Sequence, residues 1–218
     1  MSATESATDS TIPSCRVKRL GHADYEPVWR NMQTFTDKRD ASTEDELWLC
    51  EHPPVFTLGM AASREHVLAP GAIPLIQIDR GGQVTYHGPG QLMVYPLIDV
   101  RRHPTGVRAF VMALESSVID VLAEFDIQAH ARRDAPGVYV DNVKVASIGL
   151  RIRRGASYHG MAVNIDMDLE PFTRINPCGM TGLAVTDFKR LGVDLSVDAA
   201  ADRLLPKLAQ HLGVTISL

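Results

Sequence analysis

Apolar residues recur at helical spacing in three stretches of the chain and at strand spacing in several others. Tyr25, Val28, Trp29, Met32 and Phe35 fall on one face of a helix that starts after Asp24, a residue type suited to capping it. Val107, Phe110, Val111, Leu114, Val118, Val121, Leu122 and Phe125 form a longer apolar stripe, which predicts a second helix packed across a sheet. Short apolar runs bounded by Gly or Pro predict strands at 47–51, 55–59, 75–79 and 92–98, with Cys50 in the core, and a further strand at 159–167. Val138-Tyr139-Val140 and Val143-Lys144-Val145 flank Asp141-Asn142, a pair that tolerates the left-handed backbone of a two-residue hairpin turn, so Lys144 should start a return strand. Ser196 can cap a last helix that Pro206 should bend or shorten. The pattern is α+β, with a mixed, largely antiparallel sheet packed with helices.

Composition narrows the class. The 218 residues, 45% of them hydrophobic, support one sizeable core, so residues 15–218 are expected to form a single domain. The segment 1–14 is Ser/Thr-rich, without a basic region or an apolar core; it reads as a disordered tail and not as a secretory signal. A net charge of -4 without a long Lys/Arg run disfavours nucleic acid as a partner. No stretch of about 18 apolar residues is present to span a membrane. Three separated cysteines, Cys15, Cys50 and Cys178, suggest neither a disulfide framework nor a zinc site, and a reducing cytoplasm fits them best.

Candidate chemistry gathers at three places. Cys178, between Pro177 and Gly179, sits at a backbone bend that can present its sulfur to a substrate. The run 80–92 contains four glycines, which let backbone N–H groups approach a ligand, but it matches neither a Walker loop nor GxGxxG. Lys144, among Val143, Val145, Ala146 and Ile148, has an apolar setting in which an amine can act as a base or favour a neighbouring thiolate. His87 and His159 are candidates for proton transfer or orientation. Each has a blander reading, the commoner one for its residue type taken alone: a filler cysteine, tight turns, hydrogen-bonded histidines and a lysine snorkelling to water.

RGGQVTYHGPGQL at 80–92, KVASIG at 144–149, HGMAVN at 159–164 and NPCG at 176–179 resemble, in order and spacing, the motif set of the lipoyl(octanoyl) transferases. EHPPVFTLG at 51–59 extends the likeness over most of residues 15–215. The resemblance implies the biotin and lipoate protein ligase fold and a cytoplasmic acyltransferase of protein lipoylation and lipoate biosynthesis. Such an enzyme moves octanoyl from acyl carrier protein, through a cysteine thioester, to a lysine of a lipoyl domain. The implied acceptors are lipoyl domains of 2-oxoacid dehydrogenase complexes and the glycine cleavage H protein; no cofactor and no metal are implied. By matching motif, Cys178 is the acyl-thioester nucleophile and Lys144 the partner that favours its thiolate. Arg80, Gly81, Gly82, Gln83, Val84, Thr85, Tyr86 and His87, with Ser147, Ile148, Gly149, Gly160, Met161 and Ala162, are the implied substrate contacts. An ATP-dependent lipoate or biotin ligase, a lipoyl-domain amidotransferase and a non-catalytic carrier-binding module are the other readings the sequence leaves open.

Overall fold

The computed structural model describes residues 12–102 and 106–217. Along the chain lie β1 (Ser14–His22), α1 (Tyr25–Lys38), β2 (Asp45–Glu51), β3 (Val55–Leu58), β4 (Leu75–Gln77), β5 (Val84–His87), β6 (Gln91–Leu97), α2 (Gly106–Ala123), β7 (His130–Ala131), β8 (Gly137–Val140), β9 (Val143–Arg153), β10 (Ala156–Asn164), α3 (Val197–Leu212) and β11 (Thr215–Ser217). Eight strands form one sheet in the order β11-β1-β2-β6-β10-β9-β8-β7, and β4-β3-β5 form a second. β1 runs parallel to β2 and β11, and β3 parallel to β4; every other pairing among the described strands is antiparallel. The mixed, largely antiparallel α+β class is therefore observed.

Every residue of β6 is buried, because both faces of the large sheet are covered. Leu92 and Val94 join the core under α2 and α3, whereas Met93, Tyr95 and Leu97 alternate to the opposite face and pack with Tyr25, Val28, Trp29 and Met32 of α1. A third cluster, around Phe56, Leu58, Val84, Tyr86 and Phe172, belongs to the small sheet.

Most predicted elements are present with shifted ends. Asp24 occupies the cap position of α1 but makes no side-chain cap bond, whereas the Ser196 hydroxyl accepts from the Ala199 N–H at 3.1 Å. α3 runs through Pro206 without being shortened. Pro206 sits on an exposed face beside exposed Asp202, where water can meet the carbonyl that loses its N–H partner. Asp141 and Asn142 both hold positive φ, 47° and 66°, and Val140 pairs with Val143 as the hairpin requires. The expectation of a disordered tail over 1–14 falls mostly on residues 1–11, outside the described residues, and its last residue, Ser14, belongs instead to β1. No helix among the described residues is long and apolar enough to cross a membrane.

The α2 stripe supports a stability test. Leu114 is fully buried between sheet and helices while Val107, on the same predicted stripe, is 45% exposed. Leu114→Ala should therefore cost about 2–5 kcal/mol in urea unfolding, and Val107→Ala no more than about 0.5 kcal/mol. Equal costs would contradict this placement of the helix.

Candidate active site

Residues 177–179 form a single tight turn in which Cys178 takes φ 57°, ψ 16°, left-handed backbone that is uncommon outside glycine. The turn is fixed on both sides: Gly179 N–H donates to the Asn176 carbonyl at 3.0 Å, and Asn176 N–H to the His66 carbonyl at 2.8 Å. The bend expected from Pro177-Cys178-Gly179 is present, and Cys178 is part-exposed where Cys15 and Cys50 are buried. Burial first, with nearby acidic charge behind it, pushes both of those thiols up to about 12.

Lys144 reaches this turn from β9. Its Nζ lies 3.0 Å from Cys178 Sγ, donates to the Pro136 carbonyl at 3.1 Å and stands 5.2 Å from the centre of the Tyr139 ring. At 1% exposure it does not snorkel. The strand chain beyond the cysteine locks the lysine in place: Lys144 N–H donates to the Ala184 carbonyl at 2.9 Å, and Thr186 N–H to the Lys144 carbonyl at 2.8 Å. Gly137 makes room, since a Cβ there would lie 2.8 Å from Lys144 Cε and 2.3 Å from the Ala146 carbonyl oxygen. Glu115 accepts the Gly137 N–H at 2.9 Å; burial raises its pKa, and the Lys144 charge pulls it back.

Beside the turn opens a cavity. Arg80, Gly81, Gly82, Gln83, Val84, Thr85 and His87 line one wall, Ser147, Ile148 and Gly149 another, and His159, Gly160, Met161 and Ala162 a third, with Cys178 at its edge. Three motifs far apart in sequence thus share one space, because β9 and β10 pair with Gly149 opposite Gly160. Tyr86 does not share it: one step out of phase with Thr85 and His87 on β5, its ring packs 5.5 Å from both Phe56 and Phe172 in the small-sheet core.

Arg80 is buried against this cavity. Its Nη2 donates to the Thr57 carbonyl at 2.8 Å and to Thr57 Oγ1 at 3.0 Å, and its Nη1 to the Gly81 carbonyl at 2.9 Å. Gly149 leaves space for its stem, a Cβ there falling 3.0 Å from Arg80 Cδ. Burial lowers the guanidinium pKa against the charges of Tyr25 and Cys178. From Arg80 a directed chain of hydrogen bonds crosses the molecule. Gln91 Nε2 donates to Asn164 Oδ1 at 2.9 Å, so Gln91 Oε1 accepts from His87 Nδ1 at 2.8 Å. His87 Nε2 is then an acceptor for the Thr57 hydroxyl at 3.2 Å. Asn164 Nδ2 donates onward to the Thr186 carbonyl at 2.9 Å, next to the Lys144 strand. Both nitrogens of His87 are thus committed to hydrogen bonds; burial first, then the His52 charge, pushes its pKa down to about 3.

His159 holds φ 56° inside β10 and bonds Asp79 Oδ1 through Nε2 at 2.9 Å, its Nδ1 having no partner among the described residues. Burial lowers its pKa against the pull of Asp79. Burial also works on Asp79, upward, but the bonds from His159, Tyr158 and Trp29 outweigh it and hold the carboxyl well below its usual range. Asp79 and the Asp134-Ala135-Pro136 segment join this site from outside the quoted motifs, and Thr57, Gln91 and Asn164 from positions inside them for which the resemblance implies no role. The register partners Gln91 and Asn164 are the one pair a strand alignment could have exposed.

The model of the lipoyl protein ligase A/B catalytic domain matches residues 24–209. An octanoyltransferase of Shewanella sp. (strain ANA-3) is 59% identical over 205 residues, covering 94% of this chain and 93% of that protein. One from Chromobacterium violaceum is 57% identical, covering 91% and 96%. Among solved structures, a putative lipoate protein ligase from T. acidophilum with bound lipoic acid superposes with TM-score 0.76 at 14% identity, covering 94% of this chain and 88% of that one. A biotin protein ligase from Aquifex aeolicus gives 0.56 at 13%, covering 90% and 70%; at these identities the likeness is one of fold.

The neutral state of His87 makes a pH prediction. A histidine whose folded pKa lies below its unfolded value binds fewer protons when folded, so stability is full above about 6.5 and falls as pH drops toward 3. Between those limits each unit should cost up to about 1.4 kcal/mol from this residue. The stability of His87→Gln, followed by urea unfolding from pH 7 to pH 4.5, should fall less steeply than that of the wild type; parallel curves would reject the buried neutral histidine.

Proposed function

The chain belongs to the lipoyl protein ligase A/B catalytic family, and from that premise we propose that it is an octanoyltransferase that moves octanoyl from acyl carrier protein to a lipoyl-domain lysine by way of a Cys178 thioester. The observation that carries this reading is the 3.0 Å contact between Lys144 Nζ and Cys178 Sγ at the edge of the cavity.

Lys144 takes the thiol proton and its ammonium faces the thiolate. The thiolate attacks the carrier thioester; the tetrahedral oxyanion collapses, the carrier thiolate leaves, and Lys144 returns the proton to it. In the second half the acceptor lysine attacks the acyl-enzyme as a neutral amine. The C–S bond breaks, the amide forms, and the proton lost by the amine passes to Lys144 or to the thiolate. Arg80, buried within the field of Cys178, favours negative charge on this side of the cavity. Thioester exchange is close to even and amide formation from a thioester is downhill, so no nucleotide is needed. Apolar wall residues such as Ile148 and Met161 would hold the chain, each buried methylene contributing about 0.8 kcal/mol. The acceptors of this reading are the lipoyl domains of 2-oxoacid dehydrogenase complexes and the glycine cleavage H protein. The free thiol that this reading needs favours the reducing cytoplasm as its compartment.

Incubation with octanoyl carrier protein should give one hydroxylamine-labile octanoyl adduct, located by intact mass and peptide mapping on Cys178 and on neither Cys15 nor Cys50. Label at Cys50, or turnover of octanoate with ATP by Cys178→Ser, would move the assignment to a different mechanism.

The pairing of Lys144 with Cys178 is tested by two substitutions. Lys144→Met should slow alkylation of Cys178 by iodoacetamide at neutral pH, with reactivity recovering at high pH, where any thiol ionises. Lys144→Arg keeps the charge but cannot give up its proton, so it should support acyl-enzyme formation better than transfer to the acceptor. Each should reduce overall turnover at least about tenfold, or about 1.4 kcal/mol in the barrier. Superimposable alkylation profiles would remove Lys144 from the mechanism.

A further inference from the structure

We propose that the rim of the cavity, formed by the segments that carry Met60, Arg64 and Leu68, Arg133, and Arg151, is the docking surface for the anionic protein carrier that delivers the acyl thioester. The proposal rests on the acyl-transfer reading above and adds to it the surface that admits the donor.

Three segments adjoin the cavity lining. The first covers the nucleophile: Asn176 N–H bonds the His66 carbonyl, and His66 Nε2 lies 3.2 Å from where a Gly179 Cβ would be. Arg64 stands exposed on that segment. Met60 and Leu68, at 54% and 56% exposure, flank it, two of the few large apolar side chains left in water. The second segment runs into the cavity lining at Asp134, Ala135 and Pro136, with Arg133 exposed just before it. The third continues from Gly149, and its Arg151 places Nη1 2.8 Å from Met60 Sδ.

Charge separates these arginines from most others. Arg132, Arg153, Arg174, Arg190 and Arg203 each hold a carboxylate. Arg64, Arg133 and Arg151 form no ion pair among the described residues. Arg80, Arg108 and Arg154 share that state, Arg80 buried in the cavity wall and the other two outside the rim segments. On the three rim segments the acids are Glu65 and Asp134, the second neutralised by Arg132 at 2.5 Å. The mouth is therefore net positive on a chain whose formal charge is -4. Unpaired arginine beside exposed methionine and leucine is the composition of a protein contact surface.

The occupant follows from the two substrates' charges at the mouth. An acyl donor carried on a pantetheine arm brings a phosphodiester past this rim, which guanidinium groups suit. The acceptor brings a lysine, to which arginines offer no complementary charge. Opposite charge at a rim acts chiefly on encounter, so the effect should weaken with salt.

The test is Arg64→Glu/Arg133→Glu, neither residue touching the reacting atoms, in single-turnover acylation of Cys178. Octanoyl carrier protein is compared with octanoyl-pantetheine, which lacks both protein and phosphate. Carrier-dependent acylation should fall at least tenfold at low ionic strength, with most of the loss vanishing at high salt, while acylation by octanoyl-pantetheine and transfer from preformed acyl-enzyme to a lipoyl domain stay within about twofold. Equal loss with both donors, undiminished carrier acylation, or a loss confined to the acceptor step would each overturn the docking surface. Failure of wild-type enzyme to react with octanoyl carrier protein, while octanoyl-pantetheine acylates it, would overturn the carrier as donor together with its surface. Failure with both donors would overturn the acyl-transfer reading itself.

Discussion

A buried ammonium is tolerated only where its N–H bonds are met and its charge is answered, and the site is arranged around that demand at Lys144. Removing an ion from water costs several kcal/mol even after the protein relaxes. Against this stand the Pro136 carbonyl, the face of Tyr139 and the sulfur of Cys178, all within reach of one nitrogen. Each contact has its own anchor. Gly137 keeps the space beside the lysine stem empty, Glu115 holds the Gly137 N–H, and the 184–186 segment fixes the Lys144 backbone from its far side. The cysteine turn and the segment that clamps the lysine are one continuous stretch of chain. Cys178 and Lys144 are therefore held in register by the same backbone.

What the sequence discloses depends on how local its cause is. The hairpin at Asp141-Asn142, the Ser196 cap and the Cys178 bend each depend on neighbours within a few residues, and each is where it is expected. The α2 stripe is legible for the same reason, except at Val107 near the helix start, where the stripe outlasts the surface it covers. β5 was hidden inside a glycine-rich run because four residues between turns carry little period, and its partner β3 lies about thirty positions away. Pro206 does not shorten α3 as its residue type allowed, since a helix that loses one bond on its wet face can use water in its place.

The polar architecture of the site was the least legible part. Thr57, Gln91 and Asn164 are ordinary strand residues until pairing brings them together, when they join Arg80, His87 and the segment that bonds the Lys144 strand into one network. Motif spacing placed His87 correctly at the cavity yet could not say that both ring nitrogens were taken. Tyr86 shows the converse: it lies inside the most specific motif, and the two-residue period of β5 turns it away from the cavity wall into a separate core. Tyr86 is thus a member of the motif without being a member of the cavity wall.

Backbone strain shows where local preference has been overridden. Six non-glycine residues among those described hold positive φ, and Asp126, Asp141, Asn142 and Arg154 do so in turns between elements. The other two, His159 and Cys178, lie on the cavity, and conformations of this kind cost about 1–3 kcal/mol each. Regular pleating would send Tyr158 and His159 to opposite faces of the sheet. With φ at 56°, His159 instead stacks on Tyr158 at 5.0 Å, and both reach Asp79. The strain thus gives the histidine a carboxylate on one nitrogen and leaves the other buried without a partner among the described residues. At Cys178 a glycine would relieve the backbone but carry no sulfur, so the turn keeps its strained residue and Asn176, Gly179 and His66 hold it there. The fold departs from relaxed geometry at the two cavity residues whose side chains it has to aim.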